Sequence, residues 1–133
     1  MNCVGGDTVL FDTDVIICHL RGNNEAAECI RKAEERLISV QTCMELLQGA
    51  LNRGQQKAAK DFLKDHDFIV LPLEPNIGSR ALVYVEEYGL NAGIRTGDAI
   101  IAATAVENGI PLTTGNVRHF KSIKELKLVP FKP

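Results

Sequence analysis

The chain has 133 residues, 45% apolar and 24% charged, enough to bury a core unaided and too apolar for a disordered chain. Its 15 basic and 17 acidic side chains leave a net charge of −2, so any grip on nucleic acid must come from a local patch. The four cysteines show no C-x-x-C and the three histidines are scattered, which excludes a clustered zinc site and suits reduced thiols in the cytoplasm.

No stretch approaches the roughly 18–20 apolar residues of a membrane span. The start, "MNCVGGD", lacks the charged and apolar regions of a signal peptide. Residues 8–11, "TVLF", predict a buried strand that ends at Asp12, with Asp14 in the turn beyond it. Residues 24–36 predict a charged helix over Ala26, Ala27, Ile30 and Ala33. "LISVQ", 37–41, predicts a second strand, and "TCMELLQGAL" a helix with Glu45 in its first turn. "GQQKAAKDFLKDH" is helical, and "FIVLPL", 68–73, is a third strand.

Across 76–88 the apolar residues Ile77, Ala81, Tyr84, Val85 and Tyr88 recur at helical spacing. "GDAIIAATAVEN", 97–108, is apolar on nearly every face and rich in alanine, so it predicts a buried helix lying close to a sheet. "IPLTT" and "KLVPF" complete five short strands. Apolar strands alternating with helices imply a parallel sheet covered on both faces, a three-layer α/β/α sandwich.

In such sheets ligands bind beyond the carboxyl ends of the strands. Four side chains fall there: Asp12 after the first strand, Glu45 after the second, Asp98 opening the alanine-rich helix, and Asn116 after "PLTT". They converge if the first, second and fourth strands are neighbours. Buried carboxylates that converge repel one another, and a hard cation relieves the repulsion. Oxygen donors without cysteine or histidine select Mg²⁺ or Mn²⁺. Such an ion serves phosphodiester hydrolysis by activating water and neutralising phosphate charge. Each residue also has a purely structural reading. Asp12 and Asp14 suit a turn, Thr42 and Glu45 a capping box, Asp98 a helix dipole, and Asn116 the turn after Gly115.

Taken together, "VLFDTDVII", "SVQTCMELLQGAL", "TGDAIIAATAVENGIPLTTGNVRHF" and "LKLVPF" resemble the PIN-domain family, most closely its VapC toxin branch, in order from about residue 8 to residue 131. The resemblance implies a single PIN-like domain over residues 1–133, with 1–7 a short N-terminal extension, and a five-stranded parallel sheet. It also implies an Mg²⁺- or Mn²⁺-dependent endoribonuclease acting on RNA, usually a homodimer, held inactive by a small antitoxin. The family's acidic positions fall on Asp12, Glu45 and Asp98, with Asp12 and Asp98 holding the metal, directly or through one water, and Glu45 completing its shell or orienting the attacking water. Asn116 stands where many members carry a fourth Asp, which weakens a second metal position. Thr114 resembles the family's orienting hydroxyl, and Asp14 stands where relatives often carry Asn, a helper beside the ligands.

Arg118, two residues past Asn116, is the leading phosphate contact among Arg21, Arg53, Lys57, Arg95, Arg118 and Lys121. His119 and Phe120 are expected to pack or cap the loop. Met44, Leu47, Leu51, Phe62 and Leu63 offer a face for a second copy or an antitoxin. Two other readings remain. One is a PIN-like module that binds RNA or a partner without cutting. The other is a haloacid-dehalogenase-type phosphatase, which "FDTDV" fits, although Val15-Ile16 replaces the usual Gly-Thr and Ala102 stands where a second acid belongs.

Overall fold

The computed structural model describes residues 7–133, so the expected extension lies, apart from Asp7, outside the described residues. Five strands, β1 (Thr8–Phe11), β2 (Glu35–Ser39), β3 (Ile69–Leu71), β4 (Leu112–Thr114) and β5 (Leu128–Pro130), form one sheet in the order β3-β2-β1-β4-β5. Every neighbouring pair is parallel. Parallel neighbours need crossovers, and helices supply most of them. They are α1 (Thr13–Leu20), α2 (Asn24–Lys32), α3 (Val40–Gln48), α4 (Arg53–Asp65), α5 (Pro75–Ala92), α6 (Thr96–Glu107) and α7 (Val117–Phe120).

Strand alternation divides the interior into two cores. Val9 and Phe11 of β1 and Ile38 of β2 face one side, where Val15, Ile16, Ile30, Leu46, Phe62 and Leu63 of α1–α4 cover them. Leu10, Leu37 and Leu112 face the other side, beneath Ile77, Tyr84, Ile101, Ala102 and Phe120 of α5–α7. The expected α/β/α sandwich is therefore present. The alanines of α6 are almost wholly buried, as the close approach of that helix to the sheet requires. Helix α5 stops at Gly93, whose φ of 73° a side chain would resist.

Two local features depart from the sequence reading. The chain after Asp12 is not a turn: it enters α1 at once, with Asp12 as the N-cap. The β-branched run "VII" lowers helix propensity, but burial of Val15 and Ile16 overrides it. Helix α3 begins at Val40, two residues early, so Glu45 sits in its second turn. Ser39 is its cap, accepting from the Thr42 N–H at 3.0 Å, and the capping box of Thr42 with Glu45 does not form. Cys18 and Cys43 are free thiols. Among the described residues, no helix is long and apolar enough to cross a membrane.

Candidate active site

Because β1 lies between β2 and β4, the carboxyl ends of these strands adjoin. Asp12 projects from the first of them and is buried. One carboxylate oxygen accepts from the Thr13 N–H at 2.8 Å, the helix-capping bond, and the other accepts from the Thr114 hydroxyl at 2.7 Å. Thr114, fully buried at the end of β4, accepts in turn from the Asn116 N–H at 2.9 Å. The orienting hydroxyl expected at Thr114 therefore ties residue 12 to residue 116 across the strand boundary.

Asp14 lies in the first turn of α1, and Oδ2 accepts from the Gly115 N–H at 3.0 Å. The chain from Thr13 onward is helical, and the Asp12 and Asp14 charges interact. Its Oδ1 is buried and has no hydrogen-bond partner. Burial, then the Asp14 charge, push the Asp12 carboxyl up from 3.8 to about 7; the Thr114 and Thr13 hydrogen bonds oppose this, and Asp98 adds to it. Burial likewise raises the Asp14 carboxyl, opposed by the Gly115 N–H and reinforced by Asp98. Asp12, Asp14 and Asp98 thus share one electrostatic neighbourhood, although 84 residues separate Asp14 from Asp98 in sequence.

Glu45 enters from α3. The Thr13 hydroxyl donates to its Oε1 at 2.5 Å and the Gln41 amide to its Oε2 at 2.9 Å. Asp98 occupies the first turn of α6, where its Oδ2 accepts from the Arg95 N–H at 3.4 Å. Between the two acids lies Gly97. A Cβ there would sit 2.6 Å from Glu45 Oε2 and 3.1 Å from the Gln41 amide nitrogen, so glycine leaves the Glu45 carboxylate its place beside α6. Asn116 Nδ2 is 3.0 Å from His119 Nδ1, and that nitrogen is 3.7 Å from Asp98 Oδ2. Phe120 is fully buried, as expected for a packing residue, and His119 braces the loop beside Asp98.

Sequence reasoning missed Thr13, Gln41 and Gly97, which aim Glu45. The glycine directly before Asp98 was the one readable signal. Of the cations named from sequence, Lys57 is paired with Asp61 at 2.6 Å, whereas Arg118 and Lys121 line a cavity next to His119. On α3, α4 and the segment between them, Phe62 and Leu63 belong to the core and Leu47 is half-buried, while Met44 and Leu51 remain exposed.

Among the described residues, no three His, Cys, Asp or Glu side chains stand together as a ready-made ligand cage. The donor chemistry nevertheless suits a hard cation. The acids offer only oxygen, an Asp14 oxygen is buried without a partner, and burial, then repulsion by Asp14, push Asp12 toward protonation.

A doubly wound parallel sheet with acids gathered at the carboxyl edge of its central strands defines an α/β protein with an acidic candidate site. The chain belongs to the PIN-domain family, whose model matches residues 9–126. It is 34% identical over 123 residues to ribonuclease VapC10 of Mycobacterium tuberculosis, covering 90% of each chain. A toxin–antitoxin complex from Klebsiella pneumoniae superposes with a TM-score of 0.76 at 28% identity, covering 90% of this chain and 95% of that one. VapBC2 from Rickettsia felis, bound to a DNA fragment from its promoter, superposes at 0.78 with 17% identity, a likeness of fold alone; 94% of this chain and 99% of that chain are covered.

Proposed function

We propose that this protein is a metal-dependent endoribonuclease and the toxin of a toxin–antitoxin pair. The observation that carries the reading is the buried Asp12 carboxylate, clamped by Thr13 and Thr114 and crowded by Asp14 and Asp98, in a chain similar to ribonuclease VapC10. Asp12 and Asp98 would hold Mg²⁺ or Mn²⁺, with Asp14, Asn116 and Thr114 as supporting donors. A bound ion there would lower the pKa of water and neutralise charge on the phosphate.

The chain's own residues supply orientation. Thr13 and Gln41 each donate to one oxygen of Glu45 and fix a carboxylate able to align and accept a proton from the attacking water. Thr114 fixes the Asp12 plane, and Arg118 neutralises a phosphate next to the reacting one. Displacement in line would break the bond from phosphorus to the 3′ oxygen, leaving 3′-hydroxyl and 5′-phosphate ends.

Partners follow from the same chemistry. An antitoxin Arg or Lys reaching the acids would replace the cation's charge and block the site. The Klebsiella likeness supports such a partner, and the exposed Met44 and Leu51 offer apolar purchase for it. We take the working form to be a cytoplasmic homodimer of one PIN domain per chain.

Asp98→Asn tests the reading. Its oxygen still accepts from the Arg95 N–H, so the thermal midpoint should stay nearly unchanged while EDTA-sensitive RNA cleavage disappears. Full cleavage by Asp98→Asn, or the absence of Mn²⁺ uptake and of metal-dependent nicking by the parent protein, would favour a non-cleaving binding module instead.

A further inference from the structure

A cavity of about 380 Å³ lies between the C-terminal end of α5 and α7, lined by Tyr88, Asn91, Arg118, His119, Lys121 and Ser122. Its chemistry is opposite to that of the acidic edge. Arg31, Lys57 and Arg80 are bound to carboxylates, but among the described residues the side chains of Arg118 and Lys121 have no ion pair or hydrogen bond, and both are exposed. Two unpaired cations at the mouth of a cavity favour an anionic guest.

His119 is the wall shared by the two regions. It lines the cavity, and its Nδ1 is 3.7 Å from Asp98 Oδ2. A phosphodiester held at Asp98 is therefore one side chain away from the cations, and a polyanion with regularly spaced phosphates would reach both. Tyr88 adds an aromatic surface. It is half-buried, packs against the core and stands 6.1 Å from the Tyr84 ring, which makes it a rigid support. Asn91 adds an amide with both a donor and an acceptor. Cations for phosphate, a ring for a base and an amide for a base edge are the components of a single-strand nucleotide subsite.

We propose that this cavity seats the nucleotide adjoining the scissile phosphate of a single-stranded RNA. Arg118 and Lys121 engage its phosphate, Tyr88 stacks on its base, and Asn91 reads the base edge. The assignment rests on the ribonuclease reading and names where its specificity resides.

The test is fluorescence anisotropy of a short fluorescein-labelled single-stranded RNA, in the Asp98→Asn background so that no RNA is cut. Arg118→Ala and Lys121→Ala should each weaken binding several-fold and flatten the salt dependence by about 0.7 in log Kd per log salt. Tyr88→Leu should weaken binding about tenfold with the salt slope unchanged, and Tyr88→Phe should restore it. Asn91→Ala should change the ranking of RNAs that differ in one base. Asn91 and Lys121 are exposed, so their substitutions leave folding intact. Parental affinity and salt slope in both Lys121→Ala and Asn91→Ala would overturn the proposal. So would a neutral Tyr88→Leu combined with full displacement of RNA by inorganic phosphate, which would reduce the cavity to an anion site. A protein that cleaves no RNA with Mn²⁺ while these losses of binding appear defeats the nuclease reading and not the cavity. Cleavage with unchanged binding defeats only the cavity.

Discussion

Asp12 serves the fold and the site through the same carboxylate. As the N-cap of α1 it satisfies a backbone N–H that would otherwise be orphaned at the helix start. As a buried acid next to Asp14 and Asp98 it resists ionisation, and its carboxyl is pushed up to about 7. The sign of the consequence follows from which state holds the proton more tightly. In the metal-free protein the folded state does, so Asp12 favours folding fully below the ordinary value of 3.8 and loses that contribution as pH rises to about 7. The shift corresponds to a loss on the order of 4 kcal/mol at most. Asp14, also raised, acts in the same direction. Without metal, the thermal midpoint should therefore fall between pH 5 and pH 8 more steeply in the parent than in Asp12→Asn. Asparagine keeps an oxygen for the Thr13 N–H and carries no titrating group. Parallel pH profiles for the two proteins, measured by calorimetry in EDTA, would show that Asp12 is not the group under strain.

At the scale of elements, what was legible in the sequence was periodicity and strand ends. The runs "TVLF", "LIS" and "PLTT" carry enough consecutive apolar residues to locate three central strands, and with them the edge where Asp12, Glu45, Asp98 and Asn116 lie. What was not legible depended on tertiary contact. Helix α1 is built on "TDVIICHL", whose β-branched residues carry no helix signal until Val15 and Ile16 are buried. The start of α3 turned on Ser39, buried at the end of a strand, rather than on Thr42, the better-looking cap from spacing alone. The contacts that aim Glu45 come from three segments, α1, α3 and the first turn of α6, and no local pattern reports such a meeting. Gly97 shows how tightly it is made. In Gly97→Ala the new methyl would press on the far end of the Glu45 side chain, which can swing aside, rather than on backbone. The expected result is a fold destabilised by no more than about 1 kcal/mol, since alanine favours a helix over glycine. RNA cleavage should drop at least about tenfold because a displaced carboxylate no longer aligns water. A variant that cleaves like the parent would mean that Glu45 does not need this position.

Over the whole molecule, the sheet order brings acids from β1, α1 and α6 to one edge and stores their repulsion in the folded state. The unfolded chain, where Asp12 and Asp98 are 86 residues apart in sequence, has no such repulsion. A cation taken up by the folded state alone would relieve it and stabilise the whole domain by mass action, by about 2.7 kcal/mol at a concentration 100 times Kd. For a chain of this size that corresponds to a rise in thermal midpoint of roughly 5–15 °C. Mn²⁺ should therefore raise the midpoint of the parent at pH 8, EDTA should reverse it, and Asp98→Asn should show little response. The gain should shrink at pH 5, where Asp12 holds a proton that metal must displace. This dependence runs opposite to that of the metal-free protein, whose stability is greatest where Asp12 is neutral. The two curves should converge in acid and diverge above neutrality. A metal effect of equal size at both pH values, or one retained in Asp98→Asn, would place the ion elsewhere on the surface and separate the gathered acids from any role in holding it.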